Sequence, residues 1–164
     1  SFATFAISPR LAESVGLANA FKRVRGWPET ADALASAVDR TGVGAVVFDN
    51  RNDFHQMQRY GTAIDAELYM WMRYGGPTNQ AELGWALPAG LAGPVLIASE
   101  REQEVPVLAR DFERMDYAGD IAIDLGGGRQ RVYALFIAED YRPVPRTPEL
   151  EAEIEAEREA LRAR

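Results

Sequence analysis

The chain has 164 residues, 47% of them hydrophobic and 26% charged, a balance that suits one globular domain with a sizeable core. Its 18 basic and 25 acidic residues leave a formal charge of −7, which opposes a non-specific hold on nucleic acid or anionic lipid. Cysteine is absent, so disulfides, thiolate metal sites and cysteine nucleophiles are excluded, and no run reaches the roughly 18 apolar residues of a membrane span.

The chain opens Ser-Phe-Ala-Thr-Phe-Ala-Ile without an initiator methionine, which fits a piece of a longer protein; methionine removal before Ser1 is the competing explanation. Residues 1–27 read as a lead-in. Phe2, Phe5 and Ile7 suit a strand or the tail of an upstream element, and Pro9 starts a polar stretch ending near Gly16. From Pro28 the pattern sharpens. Proline and Glu29 in a first turn, then Ala31, Leu34, Ala35 and Val38, predict a helix closed by Gly42.

Gly44 to Phe48 is a short apolar run that predicts a buried strand with Asp49-Asn50 at its carboxyl end. A helix over Asp53 to Tyr60, a strand over Glu67 to Trp71 and a Gly75-Gly76-Pro77 turn follow. A third strand spans Pro94 to Ala98, and Val105 to Phe112 is helical with Pro106 in its first turn. Asp120 to Leu125, three glycines, and Val132 to Ala138 predict a β-hairpin. This order predicts an α/β domain over 28–142, a three-layer sandwich with a mostly parallel sheet and a C-terminal antiparallel hairpin. Residues 143–164 read as a proline-containing linker and a Glu/Arg-rich exposed helix or frayed tail outside the core.

No residue set predicts catalysis. Asp49 stands where α/β sheets place ligands, as in a receiver domain, but the acidic pair and later lysine of a receiver are missing; Lys22 is the chain's single lysine. Capping of the next helix by Asp49 or Asn50 is the simpler reading. His55 is the one histidine, too few nitrogen ligands for a transition-metal site, and no G-x-S-x-G elbow accompanies it. Gly126-Gly127-Gly128 leads into a strand, whereas a phosphate loop must open a helix. The carboxylate pairs Asp65/Glu67, Asp120/Asp124 and Glu100/Glu102 are commonplace in an acidic chain. The most unusual cluster is Tyr69, Trp71, Tyr74, Asn79, Glu82 and Trp85, whose rings and polar groups suit carbohydrate or a packing interface.

Several strings together carry a resemblance: Asn19 to Trp27 (Asn-Ala-Phe-Lys-Arg-Val-Arg-Gly-Trp), Val47-Phe48-Asp49-Asn50-Arg51, the strand end at Trp71, and Asn79-x-x-Glu82-Leu83. Over roughly residues 15–140 the chain resembles the soluble C-terminal region of bacterial polytopic glycosyltransferases of the dolichyl-phosphate-mannose–protein mannosyltransferase type (glycosyltransferase family 39), which are similar to lipid A aminoarabinose transferases. The resemblance implies a periplasmic accessory domain of a multi-pass inner-membrane enzyme that moves a sugar from a polyprenyl-phosphate donor. The catalytic aspartate of such enzymes lies in the membrane portion, so no catalytic residue, cofactor or metal is expected here.

The residues matching the pattern are Arg23, Arg25, Trp27, Asp49, Arg51, Trp71, Asn79 and Glu82, expected to pair, pack or bind. The implied partners are the membrane-embedded portion of the same polypeptide and a polyprenyl-phosphate sugar or glycan acceptor, with Lys22, Arg23 and Arg25 near lipid phosphate. The rival expectation is a free-standing interaction or small-ligand module, cytoplasmic in that case; a receiver-like signalling domain ranks below it.

Overall fold

A computed structural model describes residues 26–164, which form one mixed five-stranded sheet with five helices and no closed barrel. In chain order the elements are α1 (Trp27–Thr41), β1 (Ala45–Phe48), α2 (Arg51–Tyr60), β2 (Glu67–Met70), α3 (Gln80–Trp85), β3 (Val95–Ser99), α4 (Val105–Arg110), β4 (Phe112–Gly126), β5 (Arg129–Tyr141) and α5 (Pro148–Arg162). The sheet order is β2-β1-β3-β5-β4. β1 pairs in parallel with β2 and β3, while β5 pairs antiparallel with β3 and β4. The expected mostly parallel sheet is thus corrected to an evenly mixed one, because β5 returns to fill the gap between β3 and β4.

Local chemistry explains the boundaries. Gly26 precedes α1 with φ +84, a conformation that L side chains rarely adopt, and a Cβ there would lie 2.7 Å from Leu125 Cδ2. Pro28 sits in the first turn, and Gly42 ends the helix with φ 71. Asn50 caps α2, its side chain accepting from the N–H groups of Asn52 and Asp53.

Two helical readings need correction. The segment after β2 reads as a glycine-rich loop, yet Gln80–Trp85 is a short helix capped by Asn79. The helix read to Phe112 ends at Arg110, and Phe112 already opens β4, 15 residues long. β4 is an edge strand with charged residues on its open face, so its sequence lacks the apolar run that marked β1 and β3.

Strand alternation divides the core between the two faces of the sheet. Val46 and Phe48 of β1 join Leu34, Phe54 and Met57 from α1 and α2; Ala45 and Val47 join Val107 and Leu108 of α4 and Ile154 of α5. The C-terminal segment is therefore not a tail outside the core. Ile154 is fully buried and Leu150 packs beside it.

Charge holds the same helix down. Arg73 binds the Glu104 carboxylate and donates 2.9 and 2.8 Å bonds to Glu151; Arg110 reaches Glu157 at 2.5 Å; Arg158 pairs with Glu104 at 3.2 Å. Beneath them Asp111, with no exposure, accepts from the Trp71 indole at 2.7 Å, Val144 N at 2.9 Å and Arg146 at 2.8 and 2.6 Å. Removing one partner of a buried ion pair leaves the other charge uncompensated. Asp111→Ala is expected to lower the free energy of unfolding by about 3–5 kcal/mol in urea titration. Arg146→Met should cost a similar amount, and the double variant much less than the sum.

Candidate functional site

At the carboxyl ends of β1 and β2 the chain turns outward twice, into the N-termini of α2 and α3. Open α/β sheets form their ligand crevices at this edge. Two adjoining hollows of about 400 and 650 Å³ meet there and share Arg51, Asn52, Thr78 and Asn79. The inner hollow reaches Asp49, Arg73, Glu82 and Arg101; the outer one runs past His55 to Leu83.

Asp49, Arg51, Asn79 and Glu82, four of the eight residues singled out in the sequence, line this crevice. Trp71 does not: it lies on the other core face, bonded to Asp111. Trp27 is buried at the start of α1 with the Arg131 guanidinium 3.5 Å above its ring. Arg23, Arg25 and the neighbouring Lys22 lie outside the described residues. The aromatic cluster read from the sequence is divided. Tyr69 and Trp71 pack on one core face, Tyr74 is exposed and lines the inner hollow, and Trp85 is exposed against Phe54 with centroids 5.5 Å apart.

The Asp49 carboxylate is fully engaged. Oδ2 accepts from Ser99 Oγ at 2.6 Å and Oδ1 from Glu100 N at 3.1 Å, so this side chain ties the ends of β1 and β3 together. Burial raises its pKa, and the Ser99 and Glu100 hydrogen bonds work against that rise. His55 is exposed, and its Nδ1 meets Gln58 Oε1 at 3.0 Å. Among the described residues no group of three or more His, Asp or Glu is arranged to hold a metal ion.

The Asn79-x-x-Glu82 motif is a reciprocal cap. Asn79 Oδ1 accepts from Glu82 N at 2.9 Å, and Asn79 Nδ2 and Thr78 Oγ1 donate to Glu82 Oε2 at 2.5 and 3.0 Å. Glu82 Oε1 is buried without a partner, an acceptor still open to a hydroxyl or N–H. Of the three crevice arginines, Arg73 is clamped by Glu104 and Glu151. Arg101 leans on Asp49 O at 3.4 Å and Glu104 at 3.6 Å. Arg51 is exposed and its side chain, among the described residues, makes no hydrogen bond or ion pair. The crevice thus offers a free guanidinium, amides, the Thr78 hydroxyl and a buried carboxylate, groups that recognise a polar ligand.

Sequence reasoning missed Arg73 and Arg101, whose positions depend on partners far along the chain, while Tyr74, named there within the aromatic cluster, does line the inner hollow. Asp53, which in the sequence reads as a helix start with a carboxylate near His55, is buried in the first turn of α2. Asp53 Oδ1 accepts from Tyr133 OH at 3.0 Å, while Oδ2 is buried without a donor and faces Glu100. Burial first, then the Glu100 hydrogen bond and the charges of Glu100 and Asp49, push the Asp53 carboxyl up to about 9. The physical reason is that one proton turns an orphaned acceptor beside a second carboxylate into a donor. Tyr133 is raised too, by burial and by Asp53.

Comparison with protein-family models, curated proteins and solved structures yields no match to the chain.

The folded protein holds a proton on Asp53 that the unfolded chain releases, so stability should fall as pH rises from 3.8 towards about 9 and then level off. Asp49, also raised, adds slope of the same sign. Asp53→Asn keeps an acceptor for Tyr133 and supplies a donor for Glu100. Urea midpoints between pH 5 and 9.5 are expected to flatten in this variant, with its largest relative gain at the alkaline end.

Proposed function

We propose that the chain is the extracytoplasmic accessory domain of a membrane glycosyltransferase, placed at the periplasmic face of the bacterial inner membrane. In this reading the crevice receives an acceptor or the membrane-embedded portion of the same polypeptide, and the chemistry of transfer from a polyprenyl-phosphate donor occurs in that portion. The supporting observation is convergence: Asp49 and Arg51 stand some thirty positions before Asn79 and Glu82, yet all four line one crevice. A shared recognition duty gives a common reason for residues that stand at the starts of two separate helices. No described helix is long and apolar enough to cross a membrane.

The same reading takes the architecture as a three-layer sandwich ending in an antiparallel hairpin. It is supported by core clusters on both sheet faces and by the antiparallel β4–β5 pairing through Gly127 and Gly128. The rival reading, a free-standing small-ligand module, draws on the location of the crevice at the carboxyl ends of parallel strands.

The reading frame upstream of Ser1 separates the two: a series of hydrophobic spans is expected, and a start codon at the N-terminus would overturn the proposal. Within the full-length transferase, Arg51→Ala should raise the KM for acceptor about tenfold, the loss of one charged hydrogen bond, with the thermal midpoint unchanged. An unchanged KM would remove the crevice from acceptor binding.

A further inference from the structure

A second surface stands apart from the crevice. β4 and β5 extend well beyond the short central strands, and none of the described helices lies over the outer part of their α4/α5-side face. There Val132, Ala134 and Phe136 of β5 form the floor of a groove of about 590 Å³, with Tyr117, Pro106 and Leu161 as walls. It continues past Pro106 and Leu161 into a further hollow of about 350 Å³. Tyr117, Val132 and Leu161 are 63%, 43% and 58% exposed, and they are half of the six large apolar side chains left exposed among the described residues. Isolated exposed apolar residues are ordinary, but three on one groove mark a contact surface.

The walls are built. A register shift between Tyr117 and Gly119, with Gly119 at φ 102, brings Asp120, opposite Ala134, onto the same face as Tyr117, opposite Phe136. Its ring meets Phe136 edge-on at 5.8 Å and its hydroxyl donates to Asp120 Oδ1 at 2.8 Å.

The rim identifies the occupant. Most acids on this side of the molecule are engaged by arginine, among them Glu104, Asp111, Glu151, Glu153, Glu155 and Glu157. Glu100, Glu102 and Asp120, around the groove, form no ion pair with any described residue. The cations at its far end, Arg158 and Arg162, are already paired with Glu104 and Glu155.

We propose that this groove docks a cationic amphipathic polypeptide segment, one whose Leu, Val or Phe side chains enter the groove while its Lys or Arg side chains meet Glu100, Glu102 and Asp120. Anionic lipid is repelled by such a rim. A second copy joined through the same groove brings three acids against three acids. The proposal is independent of the crevice and of the glycosyltransferase reading.

The test titrates the 164-residue chain with a synthetic peptide of alternating Lys and Leu, followed by amide shifts. Saturable shifts centred on Val132, Ala134 and Leu161 are expected, weakening as salt rises. Leu161→Ser and the pair Glu102→Lys/Asp120→Lys lie on exposed positions, and each should weaken binding at least tenfold with the circular dichroism unchanged. The proposal is overturned by an absence of saturable shifts at millimolar peptide. Equal binding of a Glu/Leu peptide, or shifts confined to Arg51 and Asn79, would overturn it as well.

Discussion

The buried carboxylate of Asp111 is the constraint on which the C-terminal third of the molecule depends. It sits where α4 ends and β4 begins, and its two oxygens collect donors from two separate stretches: Trp71 after β2, and Val144 and Arg146 in the linker. A carboxylate with no exposure is tolerable only when paired and fully hydrogen-bonded, so these stretches cannot leave independently. The linker Arg142 to Thr147, with prolines at 143 and 145, carries few backbone donors for a sheet. Its order comes from this side-chain anchor: Arg142 N also bonds Asp111 O at 2.7 Å. Once the linker is fixed, α5 has one place to lie, with Ile154 inward and its acidic residues over Arg73 and Arg110.

The same anchor shapes the crevice. Arg146 Nε donates to Arg73 O at 2.7 Å, which fixes the chain as it leaves β2. Arg73 then points its guanidinium towards Glu104 and Glu151 and lays it 4.7 Å over the Tyr74 ring. From that fixed exit the loop reaches Thr78 and Asn79, whose cap sets the start of α3. The crevice wall is therefore held from behind by ion pairs, while its open face keeps Arg51 unpaired among the described residues. Rigid support behind and an available charge in front is the division expected of a recognition surface.

Much of this was legible in the sequence where the information is local. The helix after Pro28, the runs 44–48 and 94–98, and the stop at Gly42 follow from periodicity and from residues with restricted or permissive backbones. Asn79 and Glu82, three apart, have the spacing of a cap, yet the glycine-rich stretch before them reads as loop and hides the short helix that they open. Strand parity also separates residues that proximity in sequence suggested were together. Met70 shares a core face with Phe48, so its neighbours Tyr69 and Trp71 point to the opposite face from the crevice. Ion pairs spanning 78 positions, such as Arg73 with Glu151, leave no local trace. A single isoleucine in a Glu/Arg-rich stretch likewise gives no sign that the helix around it is docked.

The acids at the ends of β1 and β3 stand between the crevice and the β4–β5 groove. Asp49 gives both oxygens to β3, and burial, with Glu100 and Asp49 close by, pushes the Asp53 carboxyl up to about 9. A protonated acid is a poor cation ligand, and a carboxylate already accepting two hydrogen bonds is a poor base. The junction therefore closes the sheet edge. Polar binding groups are left on the β1–β2 side, where Arg51, Asn79 and Glu82 stand. On the other side the β4–β5 strands overrun their covering helices and expose Tyr117, Val132 and Leu161 under an acidic rim. One closed acid cluster thus separates two surfaces of opposite chemistry, one offering a free cation and the other an apolar floor with unpaired negative charge.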